Sequence, residues 1–428
     1  MSDSRADIDM KNDTTTEAGT VSADLNKARG ELSTLGKTIS PSKTMQIGAL
    51  VAKLRSEGRD IIALSAGELS CDTPASAKRV GIQAIENNQT RYTLNTGTVE
   101  LRQAICDKYR REHNRGYALN QTLVCAGAKQ ALFNILLTLC GAGDEVIVFS
   151  PYWVSYPEQI TASGARMRVV ETTLEIGFQF DIAAVKAALT DSTKAIILNT
   201  PNNPTGAVYS SGSVDQLCQL CADEGIWLIS DEIYERIVYP PNRHYSPLAS
   251  SNVDIERLVI VNGFSKTYAM TGWRMGYALG PAEVIAGAAR LQSHSTSNAS
   301  SISQAAALGV LQGDDSGAND EFFNALIPDL LKKRQIVTDI LGQTAPLRIV
   351  EPGGAYYVMI DVSGLFGREL GGRIVSSATD VCMFFIEELG VATTPGEAFG
   401  AGNYLRLSFS TDQNLVKEGC LRIQRGLA

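Results

Sequence analysis

Histidine is scarce in this chain. Three residues, His113, His244 and His294, serve a length of 428, and none stands near another in sequence. That weighs against zinc-hydrolase chemistry and against a histidine-based triad. The eight cysteines are scattered, which does not fit the disulfide framework of a small secreted domain. Cys218 and Cys221 form a single C-x-x-C inside a helical pattern, with no second pair at zinc spacing, and read as two small buried helix residues. No metal site is expected. Positive charge is not in excess: 38 Lys and Arg face 46 Asp and Glu, a net charge of -8, so a nucleic-acid footprint is not expected. No uninterrupted apolar run is long enough to cross a bilayer, so no membrane partner is expected either. Neither G-x-G-x-x-G nor G-x-x-x-x-G-K-[ST] occurs, which leaves nicotinamide and P-loop readings without support.

The composition, 44% hydrophobic and 20% charged, is that of an ordinary globular chain. Its length exceeds what one simple core holds, so a large domain with a smaller lobe is expected. The first 40 or so residues are polar, with Asp3, Asp7, Asp9, Asp13, Asp24 and a TTTE run, and the expectation there is a disordered tail. Such an acidic start fits neither a secretory signal nor a transit peptide. A cytoplasmic protein is expected, or one of a plastid or other organelle if a leader has been removed.

From about Gln121 to Gly280, short apolar runs alternate with helical stretches. TLVCAG, DEVIVFS, KAIILNT, IWLISDE and LVIVNG are rich in Val, Ile and Leu with little polar alternation, as in parallel strands covered on both faces. KQALFNILLTLC and SVDQLCQLCADEG are helical. The fold class is therefore α/β with a mostly parallel sheet flanked by helices. The C-terminal part reads as a smaller α+β lobe: LRIVEPGGAYYVMIDV as a hairpin around Gly353 and Gly354, GVATTPGEAF and YLRLSFS as strands, NLVKEGCLRIQRGL as a closing helix. The segment from Pro41 to Ala66, with helix QIGALVAKLRSEG and strand DIIALSAG, is expected to pack with that lobe. The division is thus 1–40 tail, 41–82 arm and first part of the small domain, 83–325 large domain, and 326–428 small domain.

In open parallel sheets, ligands gather beyond the carboxyl ends of the strands. Gly127, Ala128 and Lys129 follow TLVC and open a helix, where free N–H groups hold an anion. Trp153 follows DEVIVFS, Asn203 and Gly206 lie in PNNPTG, and Asp231 ends IWLISD with Tyr234 beyond it. Lys266 and Arg274 lie in NGFSKTYAMTGWRMGYALG, after LVIVNG. Taken singly, each has a plain structural reading: Trp153 and Tyr92 as packing aromatics, Lys129 as a solvated helix residue, Arg274 as a surface arginine. Taken together, they suit one planar ligand with a phosphate, a protonated ring nitrogen, a phenolic oxygen and an aldehyde. Pyridoxal 5′-phosphate is that ligand, and its protein partners are a Schiff-base lysine and a group that tunes the ring nitrogen.

SDEIY, NGFSKTYAMTGWRMGY and PNNPTG resemble the class I aminotransferases of the fold-type I pyridoxal-phosphate enzymes, from about Pro41 to the C-terminus. SPSKT, TRYTLNTGT, GAKQ, SPYWVSYPE and GWR are most similar to the aspartate aminotransferase subgroup of bacteria and plastids, some members of which also use prephenate. The resemblance implies Lys266 as the Schiff-base lysine and proton carrier. It implies Asp231 at the ring nitrogen, Tyr234 and Asn203 at the ring oxygen, and Trp153 stacked on the ring. Arg274, Ser265, Gly127 and Ala128 would hold the phosphate, and Tyr92 would reach the phosphate of a neighbouring subunit in a homodimer. Arg406 in YLRLSF would clamp the substrate α-carboxylate, with Gly67 of SAGE as a backbone contact and Asn203 beside it. Lys129, Ser42 and Thr44 would receive a second carboxylate, since LQSHSTSNASS carries no arginine for that part. Aspartate or glutamate as amino donor, with 2-oxoglutarate, oxaloacetate or prephenate as 2-oxo acid, follows from the likeness, with ping-pong kinetics. GELSCDTP departs from the family pattern of a proline and an acid followed by an aromatic, which sets Leu69, Ser70 and Cys71 at the presumed substrate side. Rival readings are an aromatic, alanine or kynurenine aminotransferase or a lyase on the same scaffold, and a non-enzymatic regulator built on it.

Overall fold

The computed structural model describes residues 32–428. The expectation of a disordered tail falls mainly on residues outside that range. Within it, Thr34–Thr38 form a short helix whose first turn is capped by the Ser33 side chain, an accepting hydroxyl for Gly36 N. The rest of the chain, Pro41–Ala428, forms one compact unit.

Strand β1 (Ile62–Ala63) lies early in the chain. The apolar runs then become β2 (Thr122–Cys125), β3 (Glu145–Ser150), β4 (Arg166–Glu171), β5 (Thr193–Asn199), β6 (Trp227–Asp231), β7 (Leu258–Gly263) and β8 (Gly276–Leu279). They make one seven-stranded sheet in the order β2-β8-β7-β6-β5-β3-β4. β3 pairs in parallel with β4 and β5, β5 with β6, and β6 with β7, while β8 runs antiparallel to both β2 and β7. β2, β7 and β8 are buried at every position, as their unbroken apolar content requires when helices cover both faces. β4, RMRVVE, is the exposed edge strand, and its arginines are charges that discourage further pairing. One face of the sheet meets the helices Ala128–Leu139 and Ala282–Ser293, and Ser211–Glu224 and Val99–His113 contribute to the other core. Cys218 and Cys221 are buried free thiols in the former of these two helices, raised well above the ordinary thiol range by burial.

The C-terminal part supplies β9 (Arg348–Ile349), β10 (Tyr357–Asp361), β11 (Glu369–Leu370), β12 (Arg373–Ile374), β13 (Val391–Ala392), β14 (Thr394–Pro395) and β15 (Tyr404–Ser408). A four-stranded sheet runs β14-β15-β10-β9, antiparallel throughout. The expected hairpin around Gly353 and Gly354 is a longer loop. Both glycine N–H groups donate to Gly206 O at 2.9 Å, tying the loop to the PNNPTG turn. Gly206 has φ +71°, and a Cβ there would lie 2.3 Å from Pro352 Cβ, so only glycine fits the junction.

The early strand is shorter than DIIALSAG suggests. β1 pairs in parallel with β13 over two residues, then Leu64 N donates to Ala392 O at 2.8 Å and Leu64 O accepts from Ser408 N at 2.7 Å. The backbone leaves regular pairing to wedge between two strands. Val51 from the helix Lys43–Ser56 and Ile62 and Leu64 from this segment share a core with Phe385, Leu407, Phe409 and Val416. Among the described residues, no helix is long and apolar enough to cross a membrane.

Candidate active site

The parallel strands of the large sheet all end at one edge, and β8, being antiparallel, begins there. Asp231 and Asn199 end adjacent strands in register, Lys266 lies three residues past β7, and Arg274 lies two residues before β8. Chain direction alone thus brings together residues separated by many turns of sequence. They line a cavity of about 570 Å³, closed on its far side by the Ser65–Glu68 segment, Tyr357 of β10 and Arg406 of β15.

Of the residues anticipated from sequence, Gly67, Thr44, Ala128, Lys129, Trp153, Asn203, Asp231, Tyr234, Ser265, Lys266, Arg274 and Arg406 line this cavity. Gly127 stands directly behind it. Its φ is +91°, and a Cβ there would lie 2.7 Å from an Arg274 guanidinium nitrogen, so glycine lets that cation come down onto the helix start. Gly276 plays a matching part, since a Cβ on it would meet Ala128 N at 2.2 Å. Arg274 itself is held with φ +54° and donates to Thr271 O at 2.9 Å. Two anticipated residues lie elsewhere. Tyr92 is 91% exposed, and Ser42 is set back from the wall, its hydroxyl 2.8 Å from that of Thr44. Leu69 turns into the hydrophobic core, and the cavity wall ends at Glu68, so Ser70 and Cys71 do not border it.

Asp231 is buried, and burial pushes its carboxyl up to about 6 despite two opposing hydrogen bonds. Tyr156 Oη donates to its Oδ2 at 2.8 Å and Ile233 N to its Oδ1 at 3.3 Å. A carboxylate held this way is poised to accept a cationic partner. Lys266 donates through Nζ to Gly67 O, and burial, with Arg406 and Arg274 adding to it, lowers its ammonium below the usual lysine range. Lys129 is lowered by burial and by Arg274 and Lys266, and its Nζ sits 5.0 Å from the centre of the Trp153 ring. Tyr234 Oη lies 2.9 Å from Tyr357 Oη.

Arg406 is 3% exposed. Its NH1 donates to Asn203 Oδ1 at 3.1 Å and its NH2 to Ser65 O at 2.7 Å, while Nε has no partner. The guanidinium lies over the rings of Tyr357 and Phe399 at 4.5 and 4.9 Å. Among the described residues no carboxylate pairs with it, nor with Lys129, Lys266 or Arg274, all of which face the same space. Four cations against the two carboxylates of Glu68 and Asp231 make the cavity a receptor for anions.

Sequence reasoning overlooked several residues: Glu68, Asn199 and Tyr357 in the cavity wall, and Tyr156 and Tyr356 in contact with it. Tyr156 was inside the quoted SPYWVSYPE without a role, and Asn199, whose Oδ1 accepts from Asn203 N at 2.8 Å, was hidden as the end of an apolar run. Tyr356 and Tyr357 read as strand aromatics. Glu68 accepts from Thr271 Oγ1 across the cavity mouth. Only the strand-end rule could have singled out Asn199; the other contacts join segments with no pattern in common.

Comparison with known proteins agrees with this geometry. The family described as aminotransferase class I and II matches residues 59–423. A bifunctional aspartate aminotransferase and glutamate/aspartate-prephenate aminotransferase of Petunia hybrida is 38% identical over 91% of this chain and 81% of its own length. An aspartate/prephenate aminotransferase of Thermus thermophilus is 39% identical over 91% of this chain and 97% of its own. The solved structure of aspartate aminotransferase from Thermus thermophilus with maleate superposes with a TM-score of 0.87 at 38% identity, covering 93% of this chain and all of that one. A match running almost the length of the compact unit, joined to a lysine, an aspartate and an unpaired arginine around one cavity, makes this chain a member of the class I and II aminotransferases.

Proposed function

We propose that this aminotransferase works with pyridoxal 5′-phosphate and moves the amino group of aspartate or glutamate to a 2-oxo dicarboxylate, 2-oxoglutarate or oxaloacetate, with prephenate as a further acceptor. The observation that carries the reading is that, besides Lys266, three cations without a carboxylate partner face the cavity: Arg274, Arg406 and Lys129. The coenzyme accounts for one phosphate, and a dicarboxylic substrate accounts for two further negative charges. The Thermus relative solved with maleate, a four-carbon dicarboxylate, is consistent with this.

The donor set fits the coenzyme. Arg274 against the glycine-opened helix start at Gly127 and Ala128 suits a phosphate, with Ser265 beside it. Asp231 suits a protonated ring nitrogen, Asn203 and Tyr234 a ring oxygen, and Trp153 a ring face. When bound, the coenzyme supplies an aldehyde for amino groups and a ring that withdraws electrons from the substrate α-carbon.

The chain's own residues do the rest. Arg406 binds the α-carboxylate through its planar fork, with the unpartnered Nε free to join. Asn203 and the Ser65 carbonyl hold the arginine in place, and the Gly67 backbone meets the carboxylate. Lys129 and Thr44, with Ser42 behind, receive the distal carboxylate. Lys266, whose ammonium burial already disfavours, is the neutral amine that takes the α-proton and later returns one, so one group serves as base and then acid. Asp231 stays ionised beside a cation, and Tyr156 keeps one of its lone pairs satisfied. The two half-reactions share this one site, which gives ping-pong kinetics.

The active unit is proposed to be a homodimer. Tyr92 at 91% exposure can serve a phosphate only across a subunit boundary, and the same stretch of chain leaves Ile82, Ile85 and Leu94 exposed. The test is amino transfer from glutamate to oxaloacetate, prephenate and phenylpyruvate in parallel. Transfer to oxaloacetate is expected; transfer to phenylpyruvate alone would reject the dicarboxylate assignment.

A further inference from the structure

We propose that Tyr357, to which neither the sequence motifs nor the reading above gives a task, is a positioning residue that acts through Tyr234. This rests on the reading of Tyr234 as the hydroxyl that donates to the coenzyme's ring oxygen. Three tyrosines meet at the cavity, Tyr234 and Tyr357 in its wall and Tyr356 against them. Tyr234 and Tyr357 rings cross at 82° with centroids 5.8 Å apart, and Tyr356 crosses Tyr234 at 80° and 5.5 Å. The proton of Tyr356 is committed, because its hydroxyl donates to Gly67 O at 3.0 Å. The 2.9 Å contact between Tyr234 and Tyr357 hydroxyls can be filled from either side. A hydroxyl has a single proton. If Tyr234 spends its own on the ring oxygen, Tyr357 must be the donor to Tyr234.

That direction has two consequences. It fixes the rotor of Tyr234, and it polarises its O–H, since each hydrogen bond in a chain strengthens the next. The surroundings hold Tyr357 in place for this. The Arg406 guanidinium lies 4.5 Å from its ring centre, and a Cβ on Gly67 would lie 2.6 Å from its hydroxyl. Glycine at position 67 therefore makes room for Tyr357 as well as for substrate. The charged and titratable groups that bear on this cluster are Lys266, Arg406, Tyr234 and Tyr356, with Glu68 and Arg274 bearing on Lys266 from across the cavity.

The test reads the visible absorbance of the coenzyme-loaded protein against pH. In pyridoxal phosphate the ring oxygen neighbours the carbon that Lys266 joins, so negative charge on that oxygen holds a proton on the lysine nitrogen. A strong donor at the oxygen loosens that proton. Tyr357→Phe, which keeps the ring under Arg406, should weaken Tyr234 as donor and raise the absorbance midpoint by roughly 0.3–0.5 of a pH unit. Turnover should fall several-fold while KM for glutamate stays within about twofold, because the Arg406 platform survives. Tyr234→Phe should raise the midpoint further, and the double variant should go no further than Tyr234→Phe alone. Site-specific 3-fluorotyrosine at 357, a stronger donor of unchanged shape, should move the midpoint down and covers the case in which Tyr357→Phe misfolds. An unmoved midpoint in Tyr357→Phe and the fluorinated protein, or a shift that adds in full to that of Tyr234→Phe, overturns the inference alone. A wild-type protein with no titrating visible band overturns the functional reading and this inference with it.

Discussion

Two polar clefts in this molecule have similar composition and opposite electrostatics. One is the cavity at the carboxyl ends of the sheet. The other, about 750 Å³, is lined by Lys108, Arg111, Glu112, Glu235, Arg236 and Asp314, and by His113 and His244. In the second cleft every lysine and arginine is matched. Lys108 lies 2.9 Å from Glu112 and 2.8 Å from Glu235, Arg111 2.6 Å from Asp315, and Arg236 2.5 Å from Asp314. Two histidines remote in sequence meet there, and Glu232, Glu235 and His244 bring donor atoms within 4.8 Å of one another. Yet the Lys108 ammonium already stands against Glu235, so the cation position is taken by the chain itself. In the cavity Arg406 is buried, Lys266 half-buried, and Lys129 and Arg274 open to solvent, and none of them pairs with a carboxylate among the described residues. A closed network stabilises a fold; an open one is waiting for charge from outside.

The sharpest break of this comparison is at Lys266. Lys266→Ala should cost about ten-thousand-fold or more in turnover and leave the fold intact. Retained turnover in a folded variant, followed as amino transfer from glutamate, would reassign the base. Next comes Arg406→Lys, which keeps the charge and loses the planar fork. A drop of roughly a hundred- to a thousand-fold in kcat/KM is expected, expressed for every amino donor alike. A drop confined to dicarboxylates would place the distal carboxylate, not the α-carboxylate, at Arg406.

The closed cleft should answer differently. Glu235→Gln leaves the Lys108 ammonium, 4% exposed, with Glu112 as its one acid. Unfolding free energy in urea should fall by about 2–3 kcal/mol, with turnover unchanged. Lost turnover without lost stability would mean that this cleft, too, serves the reaction.

How much of this was legible in the sequence follows the same division. The sheet-end residues Asn203, Asp231, Lys266 and Arg274 were visible because each sits within a few positions of an apolar run whose period announces a strand. The opposite wall was not. Ser65 and Glu68 lie past the two-residue β1, Tyr357 and Arg406 lie in the antiparallel sheet, and backbone hydrogen bonds join residue 64 to residues 392 and 408; nothing local encodes such contacts. Arg406 was named through family likeness rather than through spacing. Tyr156 and Tyr357 were invisible for a further reason. Both are buried aromatics in apolar surroundings, where a hydroxyl that serves a hydrogen bond looks the same in sequence as one that fills space.

Asp231 offers a smaller test on the cavity side. A carboxyl whose folded value, about 6, exceeds its ordinary 3.8 takes up a proton on folding between those limits. Its contribution is fully present below about pH 3.8 and is lost as pH rises through about 6. For the coenzyme-free protein the loss is at most about 3 kcal/mol, with water in the open cavity trimming it toward about 2. Comparing thermal unfolding of the coenzyme-free protein with Asp231→Asn at pH 5 and 7.5 should show the wild type losing more of its Tm across that interval. Parallel losses would mean that Asp231 is already paired before any coenzyme arrives.

Lys129 is the mildest case, because it is open to solvent and has an aromatic neighbour to share. Lys129→Ala should lower kcat/KM for aspartate and glutamate by roughly tenfold, less at high salt, and barely touch alanine or phenylalanine as donors. The selectivity is the informative part. A lysine that receives the distal carboxylate contributes nothing to a substrate without one. One that instead braces Trp153 through the 5.0 Å approach of its ammonium to that ring would lose all donors by the same factor, because the ring it steadies faces whatever is bound. Equal loss across donors would therefore move Lys129 from the substrate side of the cavity to the coenzyme side. The distal carboxylate would then have only the hydroxyl of Thr44, with Ser42 behind it, and the preference for dicarboxylates would have to be correspondingly weak.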